Sequence, residues 1–300
     1  MLKRLRGSLL LLTAAIIWGT AFVAQSEGMR YVEPFTYNAI RTLIGGFVLI
    51  PVILIFRSGH KKSADAPSAA NKKATLRGGI CCGIALFIAS SLQQCGIALT
   101  TAGKAGFITA LYVVIVPLLS VFLHQKPPKA IWLCVAGAVA GFWLLCVRGG
   151  FTVNRGDLLV LGCALCFAVH IMVVDHFCAQ QADGTVMACI QFFTAGILMT
   201  AVMLGFEHPD LHSIFAAKGT ILYAGIMSCG VAYTFQILGQ RETPPTLATL
   251  LMSLESVFAA LSGWLLLHEH LSAAELTGCG LVLISVIAAQ LVVNKVSPTD

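Results

Sequence analysis

The chain has 300 residues, of which 58% are hydrophobic and only 11% charged, with a mean hydropathy of +0.88. A soluble chain carries about 25% charged residues, so cytosolic enzymes and nucleic-acid binders are excluded together, and the net charge of +6 needs another explanation. Because a transmembrane helix takes about 20 apolar residues, the composition describes an all-α integral membrane protein that crosses the bilayer many times.

In chain order, apolar runs bounded by charge or by Pro and Gly predict ten transmembrane helices, near 8–25, 34–56, 78–100, 103–124, 129–147, 157–177, 185–206, 218–240, 244–267 and 273–293. The first run follows Lys3, Arg4 and Arg6 as in a signal peptide, but no small-x-small cleavage pattern follows it and a second span comes at once, so it reads as a retained helix. Residues 57–77 are the one long non-apolar stretch and read as a flexible loop. Spans three and four divide at Thr100–Gly103, and spans eight and nine at Gln240–Glu242, just before Pro244–Pro245. Proline is tolerated at a helix start because its missing N–H has no partner there anyway.

Basic residues set the orientation. With the N-terminus in the cytoplasm, thirteen Lys and Arg fall on that side and five on the other, with Arg41 inside a span. Both termini are then cytoplasmic in a multi-pass protein of the plasma (inner) membrane. The positive charge becomes an orientation signal facing anionic lipid, with no nucleic-acid partner. The eleven cysteines fall almost wholly inside spans and read as packing residues, Cys163 and Cys166 included. His268–Glu269–His270 lacks a metal-binding spacing and reads as an interfacial cap; no cofactor or metal is implied.

The halves of the chain repeat. Residues 13–22 (TAAIIWGTAF) lie against 162–171 (GCALCFAVHI), matching Trp18 with Phe167 and Ala21 with His170. Arg41 falls opposite Gln191, and residues 100–112 against 243–255 match Tyr112 with Glu255. The unit is five spans, 8–147 and 157–293. Because five is odd, the second unit enters the bilayer from the opposite side, giving two inverted five-helix repeats whose pseudo-two-fold axis lies in the membrane plane. That symmetry favours a transporter working by alternating access.

The stretches AGFITALYVVIVPLL (105–119) and VAYTFQILGQRETPPTLATLLMSLESVFAALSGWLLLHEHLS (231–272), with WGTAF (18–22), resemble EamA-type members of the drug/metabolite transporter superfamily. The resemblance implies a small-molecule carrier, commonly for amino acids and related metabolites, without a cofactor. The family often has Glu-Pro where this chain has Glu255–Ser256, which leaves a shared kink in span nine unsupported, whereas Pro117 predicts one in span four.

Ionisable groups at membrane depth are costly and usually face a cavity or a partner. Glu255 lies mid-span, where a carboxylate costs on the order of 3 kcal/mol. It reads as a substrate counter-ion, a proton-coupling group or a helix-to-helix hydrogen bond. Arg41 has three readings: a clamp on a substrate carboxylate, a side chain snorkelling to the surface, or a partner of Glu27 or Glu33. Lys104 shares a face with Tyr112 and can also reach the interface. Tyr233 and Gln236 share a face of span eight with Gln240, and span three offers Gln94 beside Gln93. His170 is a proton relay or a hydrogen-bonded core residue, and Trp18 a cavity wall or packing. The predicted substrate site is therefore Glu255, Tyr112, Gln94, Gln236 and Tyr233, supported by Arg41, Lys104, Trp18 and His170. The GxxxG pairs Gly79–Gly83 and Gly137–Gly141 serve internal packing or a dimer, leaving monomer or homodimer open. Spans five and ten, poor in polar residues, are expected to brace the outside. The partners are then a lipid bilayer and a small polar substrate that is proton-coupled or exchanged, in either direction. The alternatives are an intramembrane enzyme and a passive channel or sensor.

Overall fold

The computed structural model describes residues 2–59, 69–100, 102–122, 128–146, 154–266 and 273–296. His268–His270 lie outside them. The described residues form helices and turns, with no strand among them.

The first half holds α1 (Leu2–Gly28), α2 (Pro34–Gly59), α3 (Ala69–Ile97), α4 (Ala102–Ala110), α5 (Tyr112–Phe122) and α6 (Lys129–Cys146). The second holds α7 (Arg155–Ala179), α8 (Gly184–Phe206), the short α9 (Leu211–Ala216), α10 (Lys218–Tyr223), a π-helix (Ala224–Ala232), α11 (Tyr233–Gln240), α12 (Pro245–Met252), α13 (Glu255–Leu266) and α14 (Ala273–Val296). Among the described residues, seven helical rods are long and apolar enough to cross a membrane. Three shorter apolar stretches stand beside them: Ala105–Val121, Lys129–Gly141 and Leu276–Ala289. Part of the predicted loop is helical, since α2 runs to Gly59 and α3 starts at Ala69. Exposed Leu54, Leu133, Leu165, Ile197 and Ile284 give the rods an apolar outer surface, as a hydrocarbon solvent requires.

Local chemistry fixes the helix ends. Asn154 and Asp157 form a reciprocal capping box at the start of α7, and the Asp183 side chain caps α8. Glu207, just past α8, caps a different helix: its carboxylate accepts from the Phe35 and Thr36 N–H groups (2.8 and 2.6 Å) and from the Thr36 hydroxyl (2.7 Å) at the start of α2. A buried anion on a helix N-terminus satisfies groups that have no intrahelical partner. Glu207→Ala is expected to cost about 2 kcal/mol, read as a lower unfolding temperature of the detergent-purified protein; an unchanged temperature would remove this cap from the account.

Contacts between the halves recur in matching pairs. α3 lies along α7 as α1 lies along the π-helix and α11; α3 packs on α8 as α2 packs on the π-helix; and α1 against α13 is answered by α7 against α4 and α5. α2 meets α8, and α6 meets α14. The GxxxG pairs are used within the chain. A Cβ at Gly79 would lie 2.5 Å from the Ile190 Cβ and one at Gly83 2.5 Å from the Thr194 Cβ, so α3 and α8 touch backbone to backbone. Gly137 and Gly141 likewise seat Ser285 and Val282 of α14. These faces are occupied, which removes them as a dimer surface.

The segments predicted as spans four and nine are both broken. In span four the chain turns at Leu111, where the Leu111 N–H bonds the Ile108 carbonyl three residues back. The helix then runs on through Pro117, so the predicted kink lies upstream of the proline. Pro117 leaves the Val113 carbonyl without its i+4 donor, and Val113 sits in the first turn of α5, next to the turn the chain has already made. In span nine the break falls at Ser253–Leu254 without any proline. Here hydroxyls supply the perturbation: Thr249 Oγ1 donates to the Thr246 carbonyl (2.9 Å) and Ser253 Oγ to the Leu250 carbonyl (2.8 Å). Such back-bonding competes with the helical ladder and bends it.

Candidate functional site

A pocket of about 490 Å³, including space open to the outside, is lined by residues of both halves. Five repeat-related pairs make up most of its wall. Trp18 stands with Phe167, Phe22 with Ile171, Gln93 with Gln236, Thr109 with Met252, and Tyr112 with Glu255. Gln25, Arg41, Ser228 and Tyr233 complete it without such partners. The pocket therefore lies where the first and second halves of the chain face each other.

The two broken spans put Tyr112 and Glu255 at equivalent places, each the first residue of the second half-helix. The Tyr112 hydroxyl donates to Glu255 Oε1 at 3.0 Å, and both residues are buried. A break at mid-span frees backbone groups and brings a polar side chain to the cavity wall, which is tolerated at membrane depth only where protein or a cavity surrounds it. No cation among the described residues lies within ion-pair range of Glu255.

Arg41 is only 4% exposed, so it does not snorkel. Its Nε donates to Asn38 Oδ1 at 2.8 Å, and Asn38 Nδ2 is tied to the Ser90 carbonyl at 2.9 Å. This second tie fixes the guanidinium plane above the Tyr37 ring, 5.8 Å from its centroid. Glu27 pairs instead with Arg30 at 3.1 Å, and Glu33 accepts from the His208 N–H at 3.3 Å. The rest of the Arg41 fork is presented to the pocket with no anion opposite it among the described residues. The cavity wall thus carries both a positive fork and a carboxyl group. Aromatic side chains share that wall, with Trp18 and Tyr233 in edge contact at 4.9 Å.

Three buried polar atoms on the wall, Trp18 Nε1, Gln25 Oε1 and Gln236 Oε1, have no hydrogen-bond partner among the described residues. A buried polar group left unpaired costs about 1–3 kcal/mol, so such atoms are complementary to a polar ligand or water. The π-helix brings Ser228 to the same wall. π-helical turns concentrate at functional sites, and periodicity gives no signal for this one.

Of the nine predicted site residues, Glu255, Tyr112, Gln236, Tyr233, Arg41 and Trp18 line this one cavity. The Lys104 side chain lies outside the described residues. Gln94 is fully buried away from the cavity and its neighbour Gln93 faces it, donating to Thr109 Oγ1 at 3.3 Å. His170 is fully buried behind the wall, with Nε2 3.1 Å from Gln191 Oε1 and its ring against Phe167 and Tyr233. The repeat register holds a signal that selects between the two glutamines: Gln93 precedes Tyr112 by the same interval as Gln236 precedes Glu255. Thr109 and Met252 are linked in the same way.

Long apolar rods around a polar, internally charged cavity define a multi-pass membrane transporter. The sequence profile of the EamA-like transporter family matches residues 5–147 and again 154–290, and the chain belongs to that family. It is 30% identical over 292 residues to an uncharacterized transporter of Archaeoglobus fulgidus, covering 96% of this chain and 87% of the other. The threonine/homoserine exporter RhtA of Escherichia coli (strain K12) is 27% identical over 187 residues, 59% of this chain and 60% of its own. A crystal structure at 21% identity superposes with a TM-score of 0.78 over 97% of this chain and 98% of the other, which establishes the shared fold.

Proposed function

We propose that the chain is a secondary active transporter of the plasma membrane that moves a small polar metabolite, an amino acid or related compound, by alternating access. Its two units, 8–147 and 157–293, are inverted five-helix repeats in a ten-span topology with both termini cytoplasmic. The matching contact pairs and the twofold family match support this organisation. The observation that carries the function is a cavity between the two halves with, on its wall, the Glu255 carboxyl and an Arg41 guanidinium that meets no anion among the described residues. A zwitterion presents the complementary groups: its carboxylate suits the fork of Arg41, and its ammonium suits Glu255. The name of the threonine/homoserine exporter supports this substrate class and the outward direction.

Purified protein in liposomes should exchange internal unlabelled for external labelled threonine well above empty liposomes. Glu255→Gln keeps an oxygen for Tyr112 but removes the charge, and is expected to lower transport at least about tenfold, the loss of one charge-assisted bond. Uptake equal to that of empty liposomes across a panel of amino acids would overturn the substrate class, and full activity of Glu255→Gln at every pH would remove Glu255 from both the counter-ion and the coupling role.

A further inference from the structure

Ser256, next to Glu255 in the first turn of α13, donates its hydroxyl to the Gly106 carbonyl of α4 at 2.9 Å, and the bond is buried. The broken spans four and nine are therefore tied twice. Glu255 holds Tyr112 on α5, just after the break at Leu111, and Ser256 holds Gly106 on α4, just before it.

The two ties differ under the repeat. The register that pairs Tyr112 with Glu255 pairs Val113 with Ser256 and Gly106 with Thr249. The first tie links partners of one pair, so exchanging the halves reproduces it. The second has no such counterpart: its image would run from Val113, which has no hydroxyl, to the Thr249 carbonyl. An inverted-repeat carrier changes sidedness by exchanging the conformations of its halves. A hydrogen bond available to one arrangement and denied to its image biases the equilibrium between them, since any interaction made in only one state shifts the population toward that state.

We infer that the Ser256–Gly106 bond is a one-sided latch, setting the resting preference of the empty carrier for the arrangement seen here. The inference rests on the inverted-repeat, alternating-access reading above. Ser256 acts as a positioning residue: it sets the angle of the broken helices and touches no substrate.

The test is the sidedness of the cavity without substrate. A single cysteine is placed at Gln25 or at Gln236 in a background where the native cysteines are replaced. Its rate of alkylation by a membrane-impermeant maleimide is then compared in right-side-out and inside-out vesicles. Ser256→Ala should move the ratio of the two rates about two- to tenfold toward the side disfavoured in the parent, the range one hydrogen bond supplies. Ser256→Thr, which keeps the hydroxyl, should stay at the parent ratio. Val113→Thr places a hydroxyl at the image position, so it should move the ratio in the same direction as Ser256→Ala, and the double variant further still. A packing role for Ser256 alone would leave Val113→Thr without this effect. An unchanged ratio in Ser256→Ala, or a shift of Val113→Thr in the opposite direction, overturns the latch while alternation itself stands. Labelling from one side only, in the parent and every variant, overturns the alternating-access reading and the latch with it.

Discussion

Arg41→Met is expected to raise the substrate concentration for half-maximal transport about 10- to 100-fold, the range for losing a bidentate charge-assisted contact in a buried site. The side chain is 4% exposed, is held in place through Asn38, and meets no anion among the described residues. Methionine preserves much of the apolar stem and removes the charge. Removing an unpaired buried charge relieves desolvation, so the unfolding temperature should hold or rise while affinity falls. This opposition is diagnostic. A structural role through Asn38 and Ser90 would lower stability and leave the transport concentration dependence unchanged, and that outcome would dismiss Arg41 as the anion clamp. Arg41→Lys sharpens the test: it keeps the charge but not the planar fork, so it should fall between the two.

Gly83→Leu should be a strongly damaging packing change. A Cβ there would lie 2.5 Å from the Thr194 Cβ and 2.8 Å from the Gln191 carbonyl, and a backbone carbonyl cannot swing aside as a side-chain tip can. Overpacking of a rigid interior costs about 1–3 kcal/mol and more where the backbone itself must move. The effect should reach the cavity, since Gln191 holds His170, whose ring supports Phe167 and Tyr233. Loss of both monodispersity in detergent and transport is the expected result. Gly280→Ala is the matched control: nothing lies within 4 Å of its Cβ position inside α14, and removing a helical glycine should stabilise by about 0.5–1 kcal/mol. If Gly83→Leu unfolds at the parent temperature, the close α3–α8 approach is wrong.

The legible part of the site came from register. Aligned halves pair Tyr112 with Glu255, and in the fold the two share a hydrogen bond. The same register pairs Trp18 with Phe167, and both face one cavity. Where two polar neighbours compete, the pattern fails. Successive helical residues point about 100° apart, and only the neighbouring helices decide that Gln93 faces the pocket and Gln94 does not. The span-nine break was illegible because it comes from hydroxyl back-bonding at Thr249 and Ser253, which the same residues do not impose in every helix.

The sequence by itself determined the solvent and the class: apolar runs too long and too uncharged for water require a bilayer, and a repeat in register puts equivalent residues in each half. The tertiary structure decided which way each polar group turns. Arg41 could have reached the surface or found an acid, but the tie to Asn38 turns it inward. The GxxxG faces could have met another chain, and α8 and α14 already fill them. Hydrophobicity is a property of composition and survives without partners, whereas the fate of a buried charge or a glycine groove depends on which atoms lie opposite.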